Sequence, residues 1–324
     1  MSDAVGRGFD WTAIAKIDAY RAQRIGEMLV TQQAPEFLDE PESVLVDLEP
    51  LDGGELLERH RARAARYGTT PFDPEGKFLR LYPGGVTIWS GFPGAGKTTL
   101  LRQLICQTLH RGSSVFLASL EEDPTDVLVR LGETAVGGSE LGARQMQWFI
   151  DAYRTRFRLW GVIGIAQHLK LLAVIRKLAT QGIRHAVIDS LMCLDVANDD
   201  FEAQRKFANL VAATARAAQI HIHLVAHPRK LVSADQEPDL NDVAGARELG
   251  GIADNVIFVR RAKTEHPNSD VTGMVIAVRK QRHHTGFVGD ISGHFQRRMK
   301  QFSLEQFPHR GEWYLPDVAI GAPE

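Results

Sequence analysis

Residues 90–99 read Ser-Gly-Phe-Pro-Gly-Ala-Gly-Lys-Thr-Thr, which matches the spacing G-x-x-x-x-G-K-[ST] in full. A pattern of this kind cradles phosphate. Gly91, Gly94 and Gly96 free the backbone to turn N–H groups toward phosphate oxygens, with Phe92, Pro93 and Ala95 completing the loop. Lys97 supplies a point charge for the β and γ phosphates, and the Thr98 hydroxyl is of the type that ligates Mg²⁺. Thr99 leads into a helical pattern, and a helix N-terminus adds partial positive charge. ATP and Mg²⁺ are the expected cofactors.

A cradle alone binds nucleotide, whereas hydrolysis also needs a metal carboxylate and a group to orient water. The run His185-Ala186-Val187-Ile188-Asp189-Ser190 is an apolar strand ending in an acid, the Walker B arrangement, so Asp189 is expected to hold the metal through water. A second apolar run, residues 115–120, ends in Glu121 and Glu122. A carboxylate there can deprotonate the attacking water. Strand alternation lets only one of the two face the site, and Glu121 is the expected base; Glu122 suits a charge at the start of the helix beginning at Pro124. The apolar run 220–226 delivers His227 to the same edge, within reach of a γ-phosphate. A lone histidine at a strand end is otherwise a structural group.

These residues need elements to hold them. Short β-rich runs fall at residues 86–90, 114–119, 185–189 and 220–226, and helical periodicity at 99–110, 124–133, 140–155, 167–181 and 201–218. Near-continuous apolar strands alternating with helices predict an α/β fold, with a mostly parallel sheet covered on both faces. The ends of its strands line a ligand crevice. Residues 255–260, 274–280 and 286–290 read as strands with short connections, an antiparallel C-terminal edge. Ahead of these elements, Trp11, Ile14, Ile17 and Tyr20 recur at helical spacing, predicting an amphipathic helix over 10–30. An acidic, proline-marked linker follows over 33–50, then a charged helix over 51–67. Those helices either pack on their own domain, or the first docks on a neighbouring subunit. The expected organisation is a helical segment at 1–77, an ATPase domain at 78–311 and a tail at 312–324.

Bulk properties exclude several classes. Hydrophobic residues make up 44% and charged residues 24% of the 324, ordinary globular values that argue against a disordered chain. No run of eighteen apolar residues occurs and mean hydropathy is −0.18, so no membrane partner is expected. With Cys106 and Cys193 the only cysteines, neither a disulfide framework nor a zinc ribbon can be built. A cytoplasmic setting, in a bacterium or a phage-infected cell, is the expectation. The net charge of −2 offers no global attraction for nucleic acid, so any such binding must come from locally placed cations.

Four segments go beyond a generic phosphate loop. Ser119-Leu120-Glu121-Glu122, His227-Pro228-Arg229-Lys230, the stretch 245–259 with Ala253-Asp254-Asn255-Val256, and Lys280-Gln281-Arg282 followed by Gly286 and Asp290 resemble motifs of one family. The chain is similar, over roughly residues 79–302, to the ring-shaped replicative DNA helicases of the Twinkle-like and phage primase-helicase type, and more distantly to DnaB-like helicases. The resemblance implies a RecA-like P-loop NTPase fold. It implies that Glu121 is the catalytic base, His227 the γ-phosphate sensor, and Arg282, with Lys280 beside it, an arginine finger reaching a neighbouring subunit's nucleotide. Arg282 can also be read as a solvated strand-end charge. The family's DNA-contacting loops map to residues 191–200 and 229–244. Arg229 and Lys230 open the second loop, which then turns acidic through Asp235, Glu237, Asp239 and Asp242. The two cations are DNA contacts on this reading and solvated loop charges on the plainer one.

The resemblance implies a homo-oligomer, a hexameric ring translocating on single-stranded DNA at a forked duplex, with a primase or polymerase as a separate partner. Family members of this type carry a primase-like module ahead of the helicase. Here about eighty residues precede it without zinc-ligand cysteines, so priming is not expected. The second reading is a DNA-associated RecA-like ATPase that does not unwind, such as a recombination accessory or helicase-loading factor.

Overall fold

The computed structural model describes residues 52–64, 68–138, 141–196, 200–228, 239–242, 246–262, 270–283, 285–304 and 314–315. The helix expected over 10–30 and the linker over 33–50 lie outside them, as do Arg229 and Lys230. The chain divides into two compact units, Met1–Arg66 and Tyr67–Glu324. The described part of the first is helix α1 (Gly53–Ala64), opened by the Asp52 carboxylate, which accepts a hydrogen bond from the Glu55 N–H at 2.9 Å.

The second unit is a RecA-like P-loop fold. Its strands are β1 (Val86–Ser90), β2 (Val115–Ser119), β3 (Phe157–Leu159), β4 (His185–Asp189), β5 (His221–Val225), β6 (Asn255–Arg261), β7 (Val271–Gln281), β8 (Gly289–Gln296) and β9 (Gln301–Ser303). They form a nine-stranded sheet in the order β3-β2-β4-β5-β1-β6-β7-β8-β9. Pairing is parallel from β3 through β6 and antiparallel from β6 through β9. Every residue of β1, β2 and β5 is buried, and β1 and β2 accordingly carry apolar residues on both faces rather than alternating.

Helices α2 (Lys97–His110), α3 (Pro124–Ala135), α4 (Ala143–Tyr153), α5 (His168–Thr180), α6 (Phe201–Ala218) and α7 (Ala246–Ile252) connect them. Helix α3 starts where the sequence says it should: Pro124 occupies the first helical turn and the Asp123 side chain caps the Thr125 N–H at 2.8 Å. Helix α6 ends on Gln219 in the left-handed region, φ 50°.

Along one face, Trp89, Leu117, Val187, Val225, Ile257 and Ile276 join α2, α3 and α4 in a single apolar cluster. Helix α6 packs on β1 and β5. Among the described residues the expected strands and helices are present with ends displaced by a few residues, except that β7 is longer than the segment 274–280 and β8 falls later than 286–290. Periodicity did not point to β3 or β9, because three residues are too short to show a period. Tyr314 and Leu315, in the stretch read as a tail, are buried in the same cluster. Tyr314 N–H donates to the Ala135 carbonyl at 2.8 Å, and its hydroxyl accepts from Gln103 Nε2 at 3.1 Å.

Candidate functional site

The strand order places β1 between β5 and β6, and β4 between β2 and β5. The carboxyl ends of β1, β2, β4 and β5 therefore share one edge, and the candidate residues follow them directly: the loop 91–98 after β1, Glu121 after β2, Asp189 at the end of β4 and His227 after β5.

The loop after β1 depends on glycine for a measurable reason. A Cβ on Gly91, whose φ is 142°, would lie 2.1 Å from the Val259 carbonyl oxygen of β6. Gly96, at φ 102°, opens α2 in the left-handed region, and a Cβ there would meet the Met274 side chain at 2.7 Å. The backbone path is thus available only without side chains at these positions. Lys97 is 7% exposed, and its Nζ donates to the Gly91 carbonyl at 2.6 Å and the Phe92 carbonyl at 3.1 Å. Burial lowers the ammonium's pKa, while the charges of Asp189 and Glu121 act the other way. The ammonium is therefore held inside the loop by carbonyl oxygens, where a phosphate would find it.

Thr98 Oγ1 donates to Asp189 Oδ2 at 2.8 Å, joining the first turn of α2 to the end of β4. Two oxygen donors so placed suit a small hard cation such as Mg²⁺. Burial pushes the Asp189 carboxyl up to about 6; the Thr98 hydrogen bond lowers it, and the neighbouring Glu121 and Glu122 charges add to the rise. The peptide between Asp189 and Ser190 is cis.

Glu121 and Glu122 part company. The Glu122 carboxylate is taken by Arg102 of α2, at 2.5 Å and 2.7 Å, with Arg130 of α3 at 3.6 Å. Asp123, not Glu122, caps α3. Glu121 lies exposed at the mouth of the crevice, and its Oε1 accepts from Ser190 Oγ at 2.5 Å and lies 3.9 Å from Cys193 Sγ. Its charge is felt by Lys97 and His227. Burial, and then the Lys97 charge, lower the His227 pKa, against the pull of Glu121, so the imidazole is neutral near pH 7.

Lys280 and Arg282 are not brought to this cluster. Asn255 pairs with both Thr87 and Gln281, so the end of β7 is level with the early half of β1, away from the edge where the cradle leaves. Lys280 Nζ donates to the carbonyls of Gly250 (2.7 Å) and Gly251 (2.9 Å). Arg282 donates to Gly251 at 3.0 Å and pairs with the buried Asp254 at 3.5 Å. Both cations cap the carboxyl end of α7. The root of the loop at 191–200 is fixed by Asp195, whose Oδ1 accepts from the His168 backbone N–H at 2.7 Å and meets the His168 ring at 2.6 Å. Sequence reasoning assigned nothing to Ser190 or Arg102. The serine was visible next to Asp189, but its partner is 69 residues away in the chain.

Fold and site together define an ATP-binding ATPase module of the RecA/DnaB type. The chain belongs to the AAA domain family, whose model matches residues 58–232. Among curated proteins it is similar to the Twinkle homolog protein, chloroplastic/mitochondrial, of Arabidopsis thaliana, 27% identical over 249 residues, 69% of this chain. The matched part is 34% of that protein, so the chain spans about a third of the relative's length. Among solved structures, one that consists of an ATPase domain superposes with a TM-score of 0.64 at 18% identity, covering 78% of this chain and 99% of that one. A DnaB-like replicative helicase, described with its interactions with primase, superposes with a TM-score of 0.60 at 18% identity, covering 89% and 75% of the two chains. At that identity the two structures speak to fold alone. No described helix is long and apolar enough to cross a membrane.

Proposed function

We propose that this protein is an ATP-driven DNA translocase of the replicative-helicase type, acting as a homo-oligomeric ring on single-stranded DNA at a forked duplex. One observation carries the reading: Lys97, the Thr98–Asp189 pair, Glu121 and His227 share one sheet edge, while Lys280 and Arg282 sit level with the opposite end of β1. On this reading Arg282 acts as the transition-state cation of another copy's site, which is the logic of a ring.

In this scheme the loop 91–98 holds the phosphates and Lys97 exchanges its two carbonyl partners for phosphate oxygens. Thr98 and Asp189 would hold Mg²⁺, which supplies neutralisation of phosphate charge. Glu121 orients the water and takes its proton. Neutral His227 can hydrogen-bond the terminal phosphate and report its loss to the loop beginning at Arg229. An Arg282 supplied across a boundary would be worth about 10³–10⁵ in rate. Arg229 and Lys230 are the proposed strand contacts, and a separate primase or polymerase is the proposed protein partner.

The test is strand separation from a forked duplex with ATP and Mg²⁺, alongside the mass of the assembled particle. Wild-type protein should unwind as an oligomer, and Glu121→Gln should bind ATP normally while its turnover falls by about 10²–10⁴. DNA-stimulated hydrolysis without strand separation would instead favour a RecA-like accessory ATPase, a reading that the acidic run Asp235, Glu237, Asp239 and Asp242 in the second loop supports.

A further inference from the structure

We propose that Ser190 is the positioning residue of the hydrolytic site: its buried hydroxyl fixes the carboxylate of Glu121. The inference deepens the ATPase reading above and rests on it. Glutamate on an exposed turn has several rotatable bonds and no reason to point at a nucleotide. Glu121 is such a residue, the second past the end of β2. A base that wanders spends little of its time beside the water it must deprotonate.

The fold supplies a remedy from the neighbouring strand. Ser119 pairs with Asp189, and the Leu120 N–H donates to the Asp189 carbonyl at 2.8 Å, so the register of β2 and β4 continues past both strands. In that register Ser190 lies opposite Leu120, one residue before Glu121, and the Glu121 side chain meets the Ser190 hydroxyl just past the strand ends. Ser190 is 1% exposed, so its hydroxyl has no water to turn to, and it donates to Glu121 Oε1 at 2.5 Å. A short bond from a hydroxyl to a carboxylate is a charge-assisted one. The rigid member is the serine, on backbone anchored by β4; the mobile member is the glutamate. Among the described residues no hydrogen bond is made to Glu121 Oε2, leaving that oxygen to face the water. Cys193 Sγ, 3.9 Å from Oε1, adds a weaker second contact. Because Asp189 and Ser190 are adjacent, the metal carboxylate and the base are indexed to one another through a single peptide unit. The role proposed for Ser190 is exerted only through Glu121.

The experiment compares steady-state ATP hydrolysis and fluorescent-nucleotide binding in the full chain. Hydroxyl-removing Ser190→Ala and Ser190→Gly should lower kcat about 10- to 100-fold, the range for groups that orient a catalytic shell. KM and nucleotide affinity should stay within about twofold, because the loop 91–98 is untouched. Ser190→Thr, which keeps the hydroxyl, should restore most of kcat. In the Glu121→Gln background, Ser190→Ala should lower the residual rate no further. Unchanged kcat in folded Ser190→Ala or Ser190→Gly, equal loss in Ser190→Thr, or an additive loss in the double variant would each overturn the positioning role. The parent reading fails separately: no hydrolysis by wild-type protein, or full turnover by Glu121→Gln, sinks both.

Discussion

Gly91 owes its identity to one carbonyl oxygen. With the Val259 oxygen 2.1 Å from where a Cβ would sit, Gly91→Ala must push the loop off β6 or bend the strand itself. Because the contact is backbone on both sides, no rotamer change relieves it. The variant is expected to lose nucleotide affinity roughly 10- to 100-fold, the weight of one or two charge-assisted hydrogen bonds. Titration with a fluorescent ATP analogue measures this, and an affinity equal to wild type would show that the loop tolerates the displacement. At the same scale the two acids after β2 divide their labour by what lies opposite them. Arg102 claims Glu122, and Ser190 claims Glu121. Arg102→Ala should therefore cost about 1–3 kcal/mol of stability by leaving the partly buried Glu122 carboxylate only its longer contact to Arg130, while Glu121→Gln costs little. Urea midpoints of the two variants decide it.

Among the elements, β4 and β5 carry an unusual load. His185, His221 and His223 lie within the sheet on one face, paired in register through His185↔His221 and Val187↔His223. Trp89 Nε1 donates to His223 at 3.2 Å, His185 and His223 meet at 3.3 Å, and His221 bonds Thr87 at 2.8 Å and the Tyr82 carbonyl at 2.8 Å. Burial drives all three pKa values down from 6.5, to about 3 for His185, about 4 for His221 and well down for His223. The fold holds these rings neutral, whereas the unfolded chain protonates them below pH 6.5. Stability is therefore whole above about pH 6.5 and falls as pH drops toward 4. Urea unfolding at pH 7.5 and pH 5 should show a clear drop in midpoint, with a shallower pH dependence in His185→Phe. Midpoints that coincide at the two pH values would refute the linkage.

For the whole molecule, the question is whether Arg282 acts across a subunit boundary. Lys280 and Arg282 close the end of α7 through Gly250 and Gly251. That helix directly follows the second loop, 229–244. If the finger acts across a boundary, subunits carrying Lys97→Ala mixed with subunits carrying Arg282→Ala should recover part of the hydrolysis that each lacks alone. An intact cradle then meets an intact finger at some boundaries. Mixed assemblies of verified composition that recover nothing would argue against a shared site. Because Arg282 also pairs with the buried Asp254, the melting temperature of Arg282→Ala separates loss of the finger from loss of the fold.

The sequence alone determined the cradle, the α/β alternation and the acids that end β2 and β4. Each is written in adjacent residues: a glycine spacing, a run of apolar side chains, a carboxylate at its end. Local pattern suffices where local chemistry is the constraint. Tertiary structure decided which of two neighbouring acids meets Ser190 and which is spent on Arg102. It also revealed the serine beside Glu121, the histidines held neutral between strands, and the end of β7 set away from the cradle's edge. Tyr314 and Leu315 entering the core belong with these. All of them are pairings between residues tens to more than a hundred positions apart, fixed by strand order and register. A single sequence carries no trace of who its distant neighbours are until the sheet has put them side by side.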